Sequence, residues 1–325
     1  MREKILDLLG NQQGEFLSGE SISLSLNITR AAVWKQIQAL REVGYEIEAQ
    51  TKRGYRLVKA PASLDEWALK RELRTAALGR QLCLFDELSS TNDSGKDFVR
   101  QGRDHGTVIL AKRQTTGHGR MQRVWESPLG GLWMSVLLKP KLNLADAAKL
   151  TLSTGVALVR AFSTLYDLKI GIKWPNDLVF EGKKIAGILG EVAGEWNTVQ
   201  TLILGIGVNA NFARQDLSPE LPATTLRELL GYEVNLNQLA AMILLELERE
   251  VLALEQGDAQ GLRERWTSYA VGLGSPVVVE RAGETFTGIF QGIQENGELV
   301  LDQEGKEISF SSGEVKLRSE GQYCP

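Results

Sequence analysis

Between Lys112 and Trp125 the chain reads KRQTTGHGRMQRVW. Gly117, Gly119 and the small polar run Gln114-Thr115-Thr116 make a loop with many exposed backbone N–H groups, and Lys112, Arg113, Arg120 and Arg123 make it cationic. Glycine lets a backbone approach a ligand closely and take positive φ. Successive N–H groups form an anion-binding nest, and guanidinium forks match phosphate oxygens. This composition suits a loop that closes over a phosphate-bearing ligand, and it equally suits a basic surface loop with none. Three other stretches bear on the choice: Ser89-Ser90-Thr91-Asn92 after an apolar strand, Lys173–Asp177 (KWPND), and Gly182–Leu189 (GKKIAGIL). Hydroxyls and an amide at a strand-to-helix junction can cap the helix, hold a neutral polar ligand, or do both.

The order STN … QTTGHGR … KWPND … GKKIAGIL resembles that of biotin–protein ligases from about residue 80 to the C-terminus. With the N-terminal segment described below, it resembles the bifunctional kind that also represses the biotin operon. The resemblance implies an ATP-dependent ligase that forms biotinyl-5'-AMP and passes biotin to a lysine of a biotin carboxyl carrier domain, with the adenylate also acting as corepressor. It carries biotin binding to Ser90, Thr91, Asn92, Gln114, Gly117, His118, Gly119, Arg120 and Lys184, with Ser90-Thr91-Asn92 at the ureido end. Adenylate binding falls to Arg120, Arg123, Asn176, Asp177 and Asn209, and catalysis to Lys184, Arg120 and Arg123. Lys184 matches the family lysine that contacts both carboxylate and phosphate, with Lys183 as the surface alternative. Asp177 could orient Lys184 or Lys173, bind Mg²⁺ with the ATP phosphates, or cap the turn. No metal site is assigned beyond that Mg²⁺. His118 stands where the family usually has arginine or lysine. A backbone role would make it harmless, and the flanking glycines favour that; a charge role would make adenylate retention weaker or pH-dependent. The family's adenylate-bound form is a homodimer. Two competing readings are a lipoate or octanoate ligase of the same fold and a biotin-sensing regulator without catalysis.

These residues need elements to position them, and the composition allows two or three domains in 325 residues. A net charge of −4 excludes a uniform basic coat for nucleic acid. Residues 1–59 hold nine Lys/Arg against seven Asp/Glu, so the basic excess is local. Cys83, in an apolar run, reads as core and Cys324 as tail; neither belongs to a CxxC, and His105 and His118 are too far apart to suggest a metal cluster. Asp7 interrupts any signal-peptide core, and no stretch approaches ~20 apolar residues. A cytoplasmic, soluble protein is expected.

The fold class expected is α+β: a winged helix-turn-helix over 1–59, a mixed α/β catalytic domain over 60–270, and a small SH3-like β-barrel over 271–325. In the first, helices end at Gly10-Asn11 and Asn27-Ile28, and Thr29 caps a third helix from Arg30 to about Val43. A hairpin follows, with Lys52 and Arg53 at its tip. The third helix would present Arg30, Ala31, Trp34, Lys35, Gln38 and Arg41 to a DNA major groove, with Thr29 and Lys35 suited to phosphates and Lys52 and Arg53 to a backbone or minor-groove contact. Trp34 could instead pack on the wing. After the linker Ala60-Pro61-Ala62, helices are expected over 64–73, 144–166, 223–230 and 236–254. Strands are expected over 81–85, 107–111, 132–138 (with Trp133 available to line a pocket), 170–174, 178–180, 184–193 and 198–208. Gly205-Ile206-Gly207 resembles a dinucleotide loop only superficially, since the third glycine and a βαβ context are missing. The C-terminal strands, separated by Gly283-Glu284, Asn296-Gly297 and Glu304-Gly305, form either a lid or a contact surface for nucleotide or acceptor.

Overall fold

The computed structural model describes residues 1–12, 14–142, 147–193, 201–319 and 322–323. The chain divides into two compact units, Met1–Glu72 and Leu73–Pro325.

The first unit contains α1 (Arg2–Gly10), α2 (Gly19–Leu26), α3 (Arg30–Glu42), β1 (Glu46–Gln50), β2 (Gly54–Lys59) and α4 (Glu66–Glu72). Helices α2 and α3 start where side chains satisfy otherwise unpaired N–H groups. Ser18 Oγ accepts from Ser21 N at 2.9 Å, and Thr29 Oγ1 from Ala32 N at 3.1 Å. Asn27, in the left-handed region at φ 51°, turns the chain between α2 and α3. Ile5, Leu9, Ile22, Val33, Ile37 and Leu40 bury one face of the three helices. β1 pairs antiparallel with β2 as the wing. Leu17 and Tyr55 exchange backbone bonds of 2.8 and 2.9 Å beside it.

The unit does not end at the linker expected near residue 60. Trp67 and Ala68 of α4 belong to the same core. Trp67 Nε1 donates to Asp7 Oδ1 at 2.8 Å, and the Tyr45 hydroxyl donates to Asp65 Oδ1 at 2.6 Å. Burial, reinforced by the Asp65 carboxylate, pushes the Tyr45 phenol well above its ordinary range and keeps it a donor.

In the second unit, β3 (Gln81–Leu88), α5 (Thr91–Arg100), β4 (Thr107–Gln114), β5 (Leu132–Leu138), α6 (Ala147–Tyr166), β6 (Gly171–Lys173), β7 (Asp177–Phe180), β8 (Lys183–Ala193) and β9 (Thr201–Val208) precede α7 (Leu226–Leu230), α8 (Leu236–Glu255) and α9 (Ala259–Ser268). The strands form one sheet in the order β3-β4-β5-β9-β8-β7-β6. Only β3 and β4, joined through α5, run parallel. Glu250 of α8, 2% exposed, accepts from Arg160 of α6 at 2.8 Å and Arg265 of α9 at 2.9 Å. That pairing makes a buried carboxylate tolerable and ties three helices together.

Then come β10 (Pro276–Arg281), β11 (Glu284–Ile293), β12 (Leu299–Gln303), β13 (Lys306–Phe310), β14 (Glu314–Ser319) and β15 (Gln322–Tyr323). They form an antiparallel sheet ordered β13-β12-β11-β10-β14-β15.

Several expectations change. Lys112–Gln114 are the end of β4, so the loop proper starts after them. The helix expected from Ala223 starts at Leu226, because the Pro222 carbonyl and the Thr224 N–H bond with Lys184 instead. α9 had not been expected; Leu262 and Trp266 bury its inner face. Cys83 is half-buried on β3, not core. The expected start of the long helix at Leu144, the strand start at Thr198 and Cys324 lie outside the described residues.

Gly54 gives a direct test of the wing. It sits at φ 107°, and a Cβ there would lie 2.1 Å from the Leu17 carbonyl oxygen. Gly54→Ala should destabilise the N-terminal unit by about 2–4 kcal/mol. The readout is faster amide exchange across α1–α3 in the full-length chain; unchanged protection there would mean the wing pairing does not hold the unit.

Candidate functional site

A cavity of about 350 Å³ opens on one face of the seven-stranded sheet. Its floor is made by missing side chains. Gly187 of β8 pairs directly with Gly207 of β9, and Leu189 with Gly205. A Cβ on Gly207 would lie 2.6 Å from Trp125 Nε1, and one on Gly205 would lie 2.4 Å from Asn92 Oδ1. The GxG of β9 is therefore a trough floor, which explains its likeness to a nucleotide loop without the βαβ context.

One end of the cavity is a buried neutral polar cluster. Ser90, Thr91 and Asn92 are 3–4% exposed at the start of α5. Ser90 caps that helix, its Oγ accepting from Asp93 N at 3.3 Å. The Gln114 carbonyl oxygen accepts from Thr91 N at 2.7 Å, while its amide donates to Ser127 Oγ at 2.8 Å. Ser135, in the middle of apolar β5, donates to Asn92 Oδ1 at 2.6 Å and sits 2.8 Å from Thr91 Oγ1. Asn92 Nδ2 donates to Glu191 Oε2 at 2.8 Å. Ser135 and Glu191 escaped the sequence reading: one hides inside LWMSVLL, the other follows the GKKIAGIL run.

Lys184 lines the same cavity as this cluster and as Arg120 and Arg123 of the loop. The β7–β8 register shifts between Leu178 and Val179, so Ile185 is an extra residue and Lys184 is re-aimed. Its backbone is held at both ends: Lys184 N donates to Pro222 O at 2.7 Å, and its carbonyl accepts from Thr224 N at 3.0 Å and Asn209 Nδ2 at 3.3 Å. Its Nζ lies 2.6 Å from Asp177 Oδ1 and 4.8 Å from the Trp125 ring centre. Lys183, by contrast, is exposed. The Asp177 carboxylate thus faces Lys184, and Asn209 supports Lys184 through the backbone.

The loop itself is organised differently from a flexible glycine loop. Gly117 is required by close approach: a Cβ would lie 2.6 Å from the Trp125 carbonyl oxygen. Gly119 has no such neighbour and is extended, φ −109°. The left-handed residues are instead Met121 and Gln122, at φ 55° and 59°. Arg120 Nη1 donates to Asn176 Oδ1 at 3.2 Å and Gly313 O at 3.4 Å. Burial lowers the Arg120 guanidinium from its ordinary value, and Asp177 and Glu314 oppose that, so it remains a cation. Asn176 also donates to Ile188 O at 3.0 Å. Arg123 is 64% exposed and ion-paired with Glu314 of β14. The C-terminal sheet therefore supplies part of the wall, as do Val315 and Lys316.

The His118 side chain is turned inward, 12% exposed. Nε2 is 3.7 Å from Glu191 Oε2 and Nδ1 is 3.9 Å from Asp93 Oδ2. Both carboxylates also meet Lys96, at 2.9 and 3.0 Å. Trp133 does not line the cavity: it is fully buried, donates to Pro128 O at 2.9 Å, and supports Trp125 from behind.

In the N-terminal unit, Thr29, Arg30, Ala31, Trp34 and Lys35 are exposed along α3, and Lys52 and Arg53 at the wing tip. Trp34 is 57% exposed, so it does not pack away on the wing. Gln38 is half-buried. Arg41 is not available as a reader: Nε and Nη2 both donate to the Ile47 carbonyl, at 3.0 and 2.5 Å. The Arg53 guanidinium rests 4.3 Å from the Phe16 ring centre.

Among the described residues no group of three or more His, Cys, Asp or Glu side chains could hold a metal ion. Nor is any described helix long and apolar enough to cross a membrane.

The model of the biotin/lipoate A/B protein ligase family matches residues 84–209. An HTH domain model matches residues 1–56, and the biotin protein ligase C terminal domain model matches 272–318. The chain is 36% identical over 320 residues to the bifunctional ligase/repressor BirA of Bacillus subtilis (strain 168), covering 98% of each. It is 30% identical over 317 residues to that of Escherichia coli (strain K12), covering 97% of each. Among solved structures, the biotin protein ligase from Aquifex aeolicus in complex with biotin and ATP aligns with a TM-score of 0.65 at 30% identity, spanning 74% of this chain and 99% of that one. With a helix-turn-helix unit, a ligase sheet and the ligase C-terminal domain in one chain, the protein belongs to the family of bifunctional biotin ligase/repressors.

Proposed function

We propose that this protein activates biotin with ATP as biotinyl-5'-AMP, transfers it to a lysine of a biotin carboxyl carrier domain, and represses biotin genes with the adenylate as corepressor. Joining a carboxylate to an amine in water needs an activated acyl group, which ATP supplies with loss of pyrophosphate. The two reacting groups are both anionic, and two unit charges 4 Å apart repel by ~4 kcal/mol at an effective dielectric near 20. A fixed cation between them offsets that repulsion.

The observation that carries the reading is Lys184. Its backbone is anchored at both ends, and its ammonium is held by Asp177 and Trp125 in a cavity that is also lined by the buried polar cluster and the loop arginines. In this reading Ser90, Thr91, Asn92 and Gln114 meet the ureido ring, with Ser135 holding their geometry. Gly117, His118 and Gly119 bring the loop over the ligand. Arg120 and Arg123 hold the phosphate, and Asn176 holds Arg120. Asp177 orients Lys184, and Asn209 positions it through its carbonyl. Mg²⁺ would accompany ATP and offset phosphate charge, while Asp177 faces Lys184.

The buried hydroxyls and amides favour biotin over lipoate. A dithiolane ring offers no donors or acceptors, and unpaired buried polar groups are costly. The anchored Lys184 argues against a sensor without catalysis.

For repression, α3 enters a major groove and Lys52 and Arg53 reach the phosphates. A homodimer formed with bound adenylate presents two such units to operator DNA, in the cytoplasm where ATP and operator are found. The shape and charge of α3 and the wing support this reading.

Three outcomes follow. Lys184→Ala should lower biotin-dependent ATP–pyrophosphate exchange by about 10²–10³-fold, with Lys183→Ala close to wild type. Equal effects would move the charge-neutralising role, and no exchange in wild type would leave a DNA-binding sensor. Ser135→Ala strands the Asn92 carbonyl and should weaken biotin binding by about 1–3 kcal/mol, measured by calorimetry without ATP; unaltered affinity would remove the cluster from the biotin site. Lys52→Gln should weaken operator and unrelated duplex alike and reduce the salt slope by about one. A loss confined to operator would show that Lys52 reads sequence.

A further inference from the structure

The covalent junction between the two units falls at Glu72–Leu73, later than the linker expected at Ala60-Pro61-Ala62. The chain that follows this junction is not slack. Three consecutive N–H groups, those of Ala76, Ala77 and Leu78, converge on one point, which makes a nest for an anion. The chain fills that nest with its own carboxylate. Glu248 of α8 accepts from Ala76 N at 2.6 Å, from Ala77 N at 2.7 Å and from Leu78 N at 2.8 Å.

The carbonyl side of the same segment is held as well. The Arg80 guanidinium donates to Thr75 O at 2.7 Å and to Ala76 O at 3.0 Å. The Thr75 hydroxyl donates to Leu78 O, and Gly79 N donates to Gly106 O at 2.8 Å. Leu73 packs beside Gly79 and Leu244 of α8; their methyls would lie 3.0 and 3.5 Å from a Cβ added at Gly79. Bonds from backbone N–H to a carboxylate are about twice as strong as neutral ones, and a plain surface linker needs none of them. Among the described residues, neither this segment nor α8 lines the cavity, so the chemistry of the site does not account for the clamp.

We propose that Glu248 is a positioning residue for DNA: it shortens the tether of the winged unit, so that the two units of a dimer meet half-sites at one fixed spacing. The inference rests on the repressor reading above. The argument is one of reach. Freeing residues 73–78 would add up to about 20 Å of extended chain, more than half of the ~34 Å between half-sites one helical turn apart. A tether that much longer lets one dimer engage several spacings, each at a lower effective concentration. The clamp thus exchanges reach for selectivity and leaves biotin and ATP untouched.

The test uses the full-length protein loaded with biotinyl-5'-AMP, and the duplex that the wild type selects from a random pool. In Glu248→Ala, amides of residues 73–80 should exchange about tenfold faster, as loss of hydrogen bonds to a charged group predicts, while biotin-dependent pyrophosphate exchange stays within about twofold of wild type. Inserting about five base pairs between the selected half-sites turns one of them to the opposite face of the duplex. Wild type should then lose about a hundredfold in affinity, the avidity of a second site that it can no longer reach. Glu248→Ala should start about tenfold weaker on the selected duplex and lose no more than about threefold on the lengthened one. Arg80→Gln frees the same residues from their carbonyl side and should flatten the spacing dependence in the same direction. Unchanged exchange in residues 73–80, wild-type spacing dependence in Glu248→Ala, or a pyrophosphate exchange that falls as far as DNA affinity would overturn the proposal. A wild type that selects no duplex would instead sink the repressor reading, while amide exchange would still judge the clamp.

Discussion

Strands β8 and β9 carry no side chain where Gly187 faces Gly207, nor at Gly205 beside Asn92, and that gap places the rest of the cavity. A single methyl at Gly207 would meet the Trp125 indole at 2.6 Å. Displacing Trp125 would remove the ring beneath the Lys184 ammonium and the partner of Leu217. A methyl at Gly205 would push Asn92 out of its bonds to Ser135 and Glu191. The trough is thus a steric constraint with electrostatic consequences at both ends. Protein interiors close small gaps poorly, so the error would not be absorbed locally.

Within that frame the cations are held with graded firmness. Lys184 is fixed by backbone bonds and by Asp177, two half-buried groups. Arg120 is half-buried and bonded to neutral carbonyl oxygens, so an arriving anion need not displace a competing carboxylate from it. Arg123 is mostly exposed and paired with Glu314, a contact of the kind worth at most about 1 kcal/mol. It can be surrendered to a phosphate at little cost. Such an order, with the centre rigid and the rim exchangeable, keeps reorganisation out of the reacting region. His118 lies outside this series. It faces Asp93, Glu191 and the Lys96 that both share, so its side chain lies with those groups rather than with Arg120 and Arg123.

The elements were mostly legible, because caps and burial periodicity are local. Ser18, Thr29 and Ser90 each cap the helix that their sequence context indicates. The resemblance singled out Lys184, Arg120 and Arg123, and all three line the cavity. What was not legible came from pairing across the sheet. Ser135 looks like an interruption in an apolar strand until β5 lies under α5. The Gly205-Ile206-Gly207 run reads as a loop until β8 supplies Gly187 opposite it. Glu248 is 170 positions or more from the amides it holds, and no residue type there signals it. The extent of the N-terminal unit was missed for the same reason, since Trp67 joins its core through Asp7, sixty positions away.

Arg41 matters beyond its own correction. A charged residue in the last turn of α3 looks like a reader of DNA, yet its guanidinium is committed to the Ile47 carbonyl and fastens α3 to β1. Gln38 is half-buried beside it. Of the readers expected there, the exposed polar groups left are then Thr29, Arg30 and Lys35, and Thr29 already caps the helix. A good bidentate base contact contributes only ~1–3 kcal/mol of discrimination, and specific sites need several. One such unit is therefore under-equipped to select an operator alone. Two units on paired half-sites would double the readers and fix their spacing, which is what the proposed homodimer would supply.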